Sequence, residues 1–131
     1  MSSRAERLAA IQAEIDWLRR QPADSDSFVI LTDATDQARD GLDRFVQFIG
    51  GGGPGLYCEA SIRRGEGPVE TNPGAVAALE RLGFSAPDGD RVNYWIEEVS
   101  APSPEAAELV EATFLDGLGS APDFKLDIER S

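Results

Sequence analysis

"DRFVQFIGGGGPGLYCEASI", Asp43 to Ile62, decides the fold, because its glycines admit two incompatible readings. Gly50, Gly52 and Gly55 satisfy the dinucleotide-binding spacing G-x-G-x-x-G. That pattern works only when the glycines deliver phosphates to the amino terminus of a helix, whose free N–H groups and dipole attract anions. Here both flanks have period two. Phe45, Gln47 and Ile49 alternate with Val46 and Phe48, and Leu56, Cys58, Ala60 and Ile62 alternate with Tyr57, Glu59 and Ser61. Both flanks therefore read as strands. No helix follows to receive a phosphate, and no Lys-Ser or Lys-Thr pair supplies a P-loop ending. The glycine run reads as a hairpin connection that tolerates positive φ.

Upstream, Leu8, Ile11, Ile15 and Leu18 fall on one stripe of a helix, which predicts an amphipathic helix from Arg4 to about Arg20 with Trp17 at the edge of the stripe. Pro22 cannot continue it and pushes Gln21 out of the helical region. "FVIL", Phe28 to Leu31, is rich in β-formers and reads as a short strand. Between it and Asp43 lies a polar connection with an Asp-Gly turn signal at Asp40 and Gly41. Its aspartates at 33, 36, 40 and 43 miss the alternating ligands and the closing glutamate of a calcium loop, so a solvated turn is the better reading.

Downstream, "NPGAVAALERLG" has Asn72 as N-cap, Pro73 at the first helical position, Val76, Leu79 and Leu82 as apolar stripe and Gly83 as terminator. "RVNYWIEEV" alternates Asn93, Trp95, Glu97 and Val99 against Tyr94, Ile96 and Glu98, the pattern of another strand. "SPEAAELVEATFLDGLG" predicts a helix with Ser103 as N-cap, Pro104 at the first position and Glu105 complementing the dipole. The tail "FKLDI" sets Phe124, Leu126 and Ile128 against Lys125 and Asp127, which suits an edge strand or, alternatively, a frayed terminus. The order α-β-β-β-α-β-α predicts an α+β domain in which three helices flank an antiparallel sheet of about four to five strands.

With 131 residues, the chain suits one domain with one core, since chains split into domains only beyond about 250 residues. Within it, residues 1–21 form the amino-terminal helix, 28–119 the α+β core and 120–131 a tail. The 24 acidic residues outnumber the 12 basic ones, and the excess lies beyond residue 20. Such a surface repels phosphate backbones and anionic headgroups, so nucleic-acid and membrane binding are not expected, and a basic or amphipathic partner is favoured. Histidine is absent and Cys58 is the sole cysteine, which excludes an internal disulfide, a Cys/His zinc site and a histidine-based triad. Cys58 shares its face with Leu56, Ala60 and Ile62 and reads as a buried small hydrophobe. The amino terminus is charged throughout and lacks an apolar signal core, so the expected location is the cytoplasm. No cofactor is expected.

The run from "DRFVQFIGGGGPGLYCEASI" through "LERLGFSAPDGDRVNYWIEEV" to "LVEATFLDGLG" resembles the actinobacterial proteins related to YbjN and to type III secretion chaperones, sometimes called TY-Chap domains. The matching positions are Val46-Gln47-Phe48, Glu59-Ala60-Ser61, Leu82-Gly83-Phe84, Asn93-Tyr94-Trp95 and Leu118-Gly119, within about residues 28 to 119. After Ser61 the chain departs from that pattern: where relatives tend to carry asparagine it has Ile62, followed by Arg63-Arg64. The resemblance implies a secretion-chaperone-like α+β fold, often dimeric, that binds an extended peptide segment of a client without hydrolysing ATP.

Three classes of function are open to such a chain. The first is a non-catalytic peptide- or protein-binding module, with Trp95, Tyr94, Tyr57, Phe48 and Gln47 as candidate contact residues; each aromatic among them, like Trp17, is either a contact or core packing. The second is a homodimeric structural or regulatory module built on the amino-terminal helix and the "FKLDI" tail. The third is an enzyme using Glu59, Glu97 or Glu98. Adjacent residues of a strand point to opposite faces, so Glu97 and Glu98 do not converge, and no catalysis is expected.

Overall fold

The strands are held in one antiparallel sheet by a meander whose last member returns to the opposite edge. A computed structural model describes residues 3–22, 25–35, 41–50, 55–65, 67–70 and 73–131. Its elements are α1 (Arg4–Arg19), β1 (Phe28–Asp33), β2 (Asp43–Ile49), β3 (Leu56–Arg63), α2 (Pro73–Arg81), β4 (Tyr94–Val99), α3 (Ser103–Ala112) running into a π-helical turn (Thr113–Gly117), and β5 (Leu126–Arg130). The sheet order is β4-β3-β2-β1-β5, with every neighbouring pair antiparallel. The α+β architecture and the element order follow the expectation from sequence, and the tail supplies a fifth strand.

Period two in the sequence becomes period two in burial. Along β1 and β2 burial alternates strictly up to Phe48, with Val29, Leu31, Val46 and Phe48 directed toward the helices. Register places Val46 opposite Ala60 and Phe48 opposite Cys58, so β3 continues the same apolar surface with Leu56 and Ile62. Ile11, Ile15 and Leu18 of α1, Leu79 of α2, and Val110 and Phe114 of α3 and its π turn close over it. Full burial of an aliphatic side chain contributes about 1.5–3 kcal/mol. The α1 stripe is therefore spent inside its own chain and is not left for a partner helix.

Local chemistry sets the element ends. Ser3 caps α1 by accepting from the Glu6 amide at 3.2 Å. Gly83, at φ 104°, ends α2 in a conformation that a side chain would disfavour. The expected Asn72 cap, the calcium-like loop at 36–40 and the glycines at 51–53 lie outside the described residues. The strands that flank those glycines pair directly at Ile49 and Tyr57, and the element after them is a strand, as their periodicity requires.

Two local expectations are corrected. The N-cap of α3 is Pro102, whose side chain has no acceptor to offer, so Ser103 is the first helical residue and its hydroxyl accepts from Arg19 Nη1 at 3.0 Å. In β4, Val99 lies with the core and not on the face of Trp95. Cys58 pairs with Ile96 but Leu56 pairs with Val99, so a β-bulge adds one residue and reverses the alternation.

Sequence periodicity carries no sign of the charged clamp that locks the helix layer. Arg7 of α1 is fully buried and meets Glu111 of α3 through two bonds, Nε to Oε1 at 2.9 Å and Nη2 to Oε2 at 2.5 Å. The same guanidinium donates to the carbonyls of Pro122 at 3.0 Å and Phe124 at 3.1 Å and stacks on the Phe124 ring. α1, α3 and the approach to β5 thereby share one cation.

The open face of the sheet as candidate functional site

The three helices among the described residues pack on one side of the sheet, and those residues place no helix on the other. The side chains there are fixed in rows by the strand registers. Glu129, Ile30, Gln47, Glu59 and Trp95 run across the sheet in one row, one from each strand. Phe28, Ile49 and Tyr57 form the row beside it, and Thr32, Phe45 and Ser61 the row on the other flank. Neighbours across strands stand about 5 Å apart, so these side chains adjoin one another, with Ser61 fully buried among them. Phe28, Ile30, Phe45, Tyr57 and Trp95 are half-buried and Ile49 is 37 % exposed, so β1, β2, β3 and β4 all contribute apolar or aromatic side chains to this face.

One end of this face is ordered by arginine. The Arg91 guanidinium lies 3.7 Å from the centre of the Trp95 ring and 5.6 Å from that of Tyr57, and it pairs with Glu97 at 3.1 Å. Asn93 bridges two charges, donating to Glu59 Oε1 at 2.8 Å and accepting from Arg63 Nη2 at 2.6 Å. Arg63 also donates to the Ser61 hydroxyl at 3.1 Å and sits over the Phe45 ring. The Tyr57 phenol is held above its ordinary pKa, first by desolvation and then by the negative charge of Glu59, so it stays a neutral donor and acceptor. Ser85 occupies the outer backbone edge of Trp95 through a reciprocal pair of bonds at 2.8 and 3.1 Å, which ties the backbone of β4 to the segment before it.

The sequence-derived contact residues divide by face. Trp95, Tyr57 and Gln47 stand together on the open side. Phe48 and Tyr94 point the other way and are buried in the core, with the Tyr94 hydroxyl donating to the Glu70 carbonyl at 2.9 Å; they pack the sheet against the helices and offer no contact surface. Trp17 lies in the helix layer beneath the Arg130 guanidinium. Ile62, at the departure from the asparagine pattern, is a core residue, while Arg63 beside it joins the open face. Phe28, Ile30, Phe45, Arg63 and Arg91 went unrecognised in the sequence as members of this surface. The alternation of β2 carried a partial signal for Phe45, but only register brings in the others.

An antiparallel sheet sealed by helices on one face and open on the other, with no converging catalytic constellation among the described residues, is an α+β domain of the secretion-chaperone kind. The chain belongs to the family described as T3SS (YopN, CesT) and YbjN peptide-binding chaperone 3, which matches residues 4–125 and so takes in α1 as well as the sheet. Neither a curated protein nor a solved structure matches it. The family assigns a peptide-binding, chaperone-like role, and its partners are proteins or peptides. Among the described residues no helix is long and apolar enough to cross a membrane.

Proposed function

We propose that the chain is a non-catalytic chaperone or adaptor that holds an extended client segment against the open face of its sheet, with Trp95, Tyr57 and Gln47 as contact residues. The observation that carries this reading is the row structure of that face: half-buried aromatic and aliphatic side chains surround the amide of Gln47, on the side the helices leave uncovered. Aromatic rings supply large contact area at low entropic cost, and a glutamine both donates and accepts toward a peptide backbone. The chain's net charge of −12 steers basic or amphipathic segments toward it. A cytoplasmic setting accords with the single cysteine, Cys58, lying buried and free.

A capture experiment tests it. Tagged protein is expressed in its native host and bound partners are identified by mass spectrometry, in parallel with Trp95→Ala. A dominant partner that the variant loses, while its circular dichroism and melting remain close to those of the parent, supports the reading; unchanged capture by Trp95→Ala refutes it.

The alternative is a homodimeric module without a client. The observation in its favour is the outer edge of β5. The paired bonds of Phe28 with Ser131 make Ile30–Glu129 and Thr32–Asp127 the bonded pairs, so the amides and carbonyls of Leu126, Ile128 and Arg130 point away from β1. A dimer mass by light scattering that falls to a monomer when Ile128 is replaced by proline would favour it over a client-binding role.

A further inference from the structure

Arg63 departs from the usual company of half-buried arginines. Its bonds are to neutral groups, Ser61 and Asn93, and it has no carboxylate partner among the described residues. Asp43 stands opposite it in register, yet the two form no ion pair. A guanidinium removed in part from water normally finds a counter-charge. Arg63 also lines two adjoining hollows. The larger, about 570 Å³, runs between the segments 67–69 and 87–92, where Arg91 forms its second cationic wall, Val69, Val92 and Pro68 its apolar lining, and Asp88 its acidic residue. Val92 is 62 % exposed, the most exposed large hydrophobic described. The smaller hollow, about 410 Å³, contains Phe45 and Thr32 of the open face. On a chain with net charge −12, this is a place where two arginines line one hollow beside uncovered apolar surface.

We infer that Arg63 and Arg91 form an anchor for a carboxylate, namely the side chain of an aspartate or glutamate inside the extended client segment, whose neighbouring apolar residue lies on Val92 and Val69. Charge complementarity carries the choice of occupant. Arg91 is held by Glu97, whose own side chain is 71 % exposed, so exchanging that surface carboxylate for one from a client costs little. Arg63 is already fixed by Asn93 and Ser61 with donors to spare, which pre-organises it for a planar acceptor. Overall charge attracts basic residues of a client, while this end of the face sets the register by an acidic one.

The inference rests on the open face being the peptide site, and the experiment separates the two. Acetylated and amidated peptides of alternating valine and serine with lysine at both ends, carrying a central aspartate, asparagine or lysine, are titrated against the full chain while tryptophan fluorescence is followed. The aspartate peptide is expected to bind about tenfold more tightly than the asparagine peptide, the worth of one partly solvated charge-assisted bond. That advantage should shrink with salt and vanish in Arg91→Gln and in Arg63→Gln, both confirmed as folded by circular dichroism, so that in each variant the aspartate and asparagine peptides bind equally. Equal binding of all three peptides, abolished by Trp95→Ala, overturns the anchor and keeps the open-face reading. Binding of none overturns both. A fourth peptide, with asparagine at the centre and a free carboxyl terminus, overturns the choice of a side-chain carboxylate if it matches the aspartate peptide.

Discussion

Removing Glu111 should unfold a large part of the molecule's stability margin. In Glu111→Ala the Arg7 guanidinium, fully buried in the parent, keeps its bonds to two carbonyls and its stacking on Phe124 but loses both bonds to the Glu111 carboxylate. Breaking a buried pair at one end costs about 3–5 kcal/mol, against a total stability of about 5–15 kcal/mol for a domain. With a urea m-value of about 1–3 kcal/mol/M, the midpoint should fall by roughly 2 M. The double replacement Arg7→Met with Glu111→Leu removes both charges and leaves the Pro122 and Phe124 carbonyls without their donor. Each lost bond costs about 1 kcal/mol, whereas an apolar pair of similar volume is neutral or favourable by about 1–4 kcal/mol. The double variant should thus lie near the parent. Urea unfolding followed by circular dichroism measures both. A Glu111→Ala variant within about 1 kcal/mol of the parent would refute the argument that the two-bond pair of Arg7 with Glu111 carries this share of the stability. A double variant as unstable as the single would move the cause from the ion pair to the carbonyls.

Three further outcomes follow from the packing. A methyl group on Gly117 would lie 2.3 Å from Leu79 Cδ2 and 2.9 Å from its Cγ, in a side chain at 0 % exposure, so Gly117→Ala should cost about 1–3 kcal/mol; a melting temperature equal to the parent's would contradict the close approach of the π turn to α2. Burial holds the Cys58 thiol and the Tyr94 phenol above their ordinary values of 9.0 and 10.0, with Glu59 adding to the effect on Cys58. The unfolded chain ionises these groups first, so their contribution to stability is complete below about pH 9 and is lost as pH rises; a denaturation midpoint that increases between pH 8 and pH 11 would contradict it. Native protein at pH 8.5 should accordingly react with a thiol reagent only through unfolding, and fast labelling without denaturant would place Cys58 on an accessible surface.

The elements were legible because each is a local pattern. Helical spacing of Leu8, Ile11, Ile15 and Leu18 and the double alternation around the glycines identify α1, β2 and β3 without knowledge of any neighbour. In β3 even the buried side was readable, since Leu56, Cys58, Ala60 and Ile62 are all apolar while Tyr57, Glu59 and Ser61 are not. The same logic is silent in β2 and β4. Phe45 and Ile49 are as apolar as Val46 and Phe48, and Trp95 as apolar as Tyr94, so period two says which residues share a face but not which face the helices cover.

The sequence by itself determined the element types, their order, the α+β class and the acidic surface, because propensity, periodicity and charge act over a few residues at a time. Tertiary structure alone decided that Tyr94 and Phe48 are core while Trp95, Tyr57 and Gln47 share the open side. It also decided that Arg63 meets Asn93 across 30 residues and that Arg7 meets Glu111 across 104. Those choices depend on where α1, α2 and α3 bury their stripes and on the register of five strands, and the bulge at Val99 shows that one inserted residue reverses a face. Packing energy of this kind is summed over the whole chain, and no window of neighbouring residues contains it.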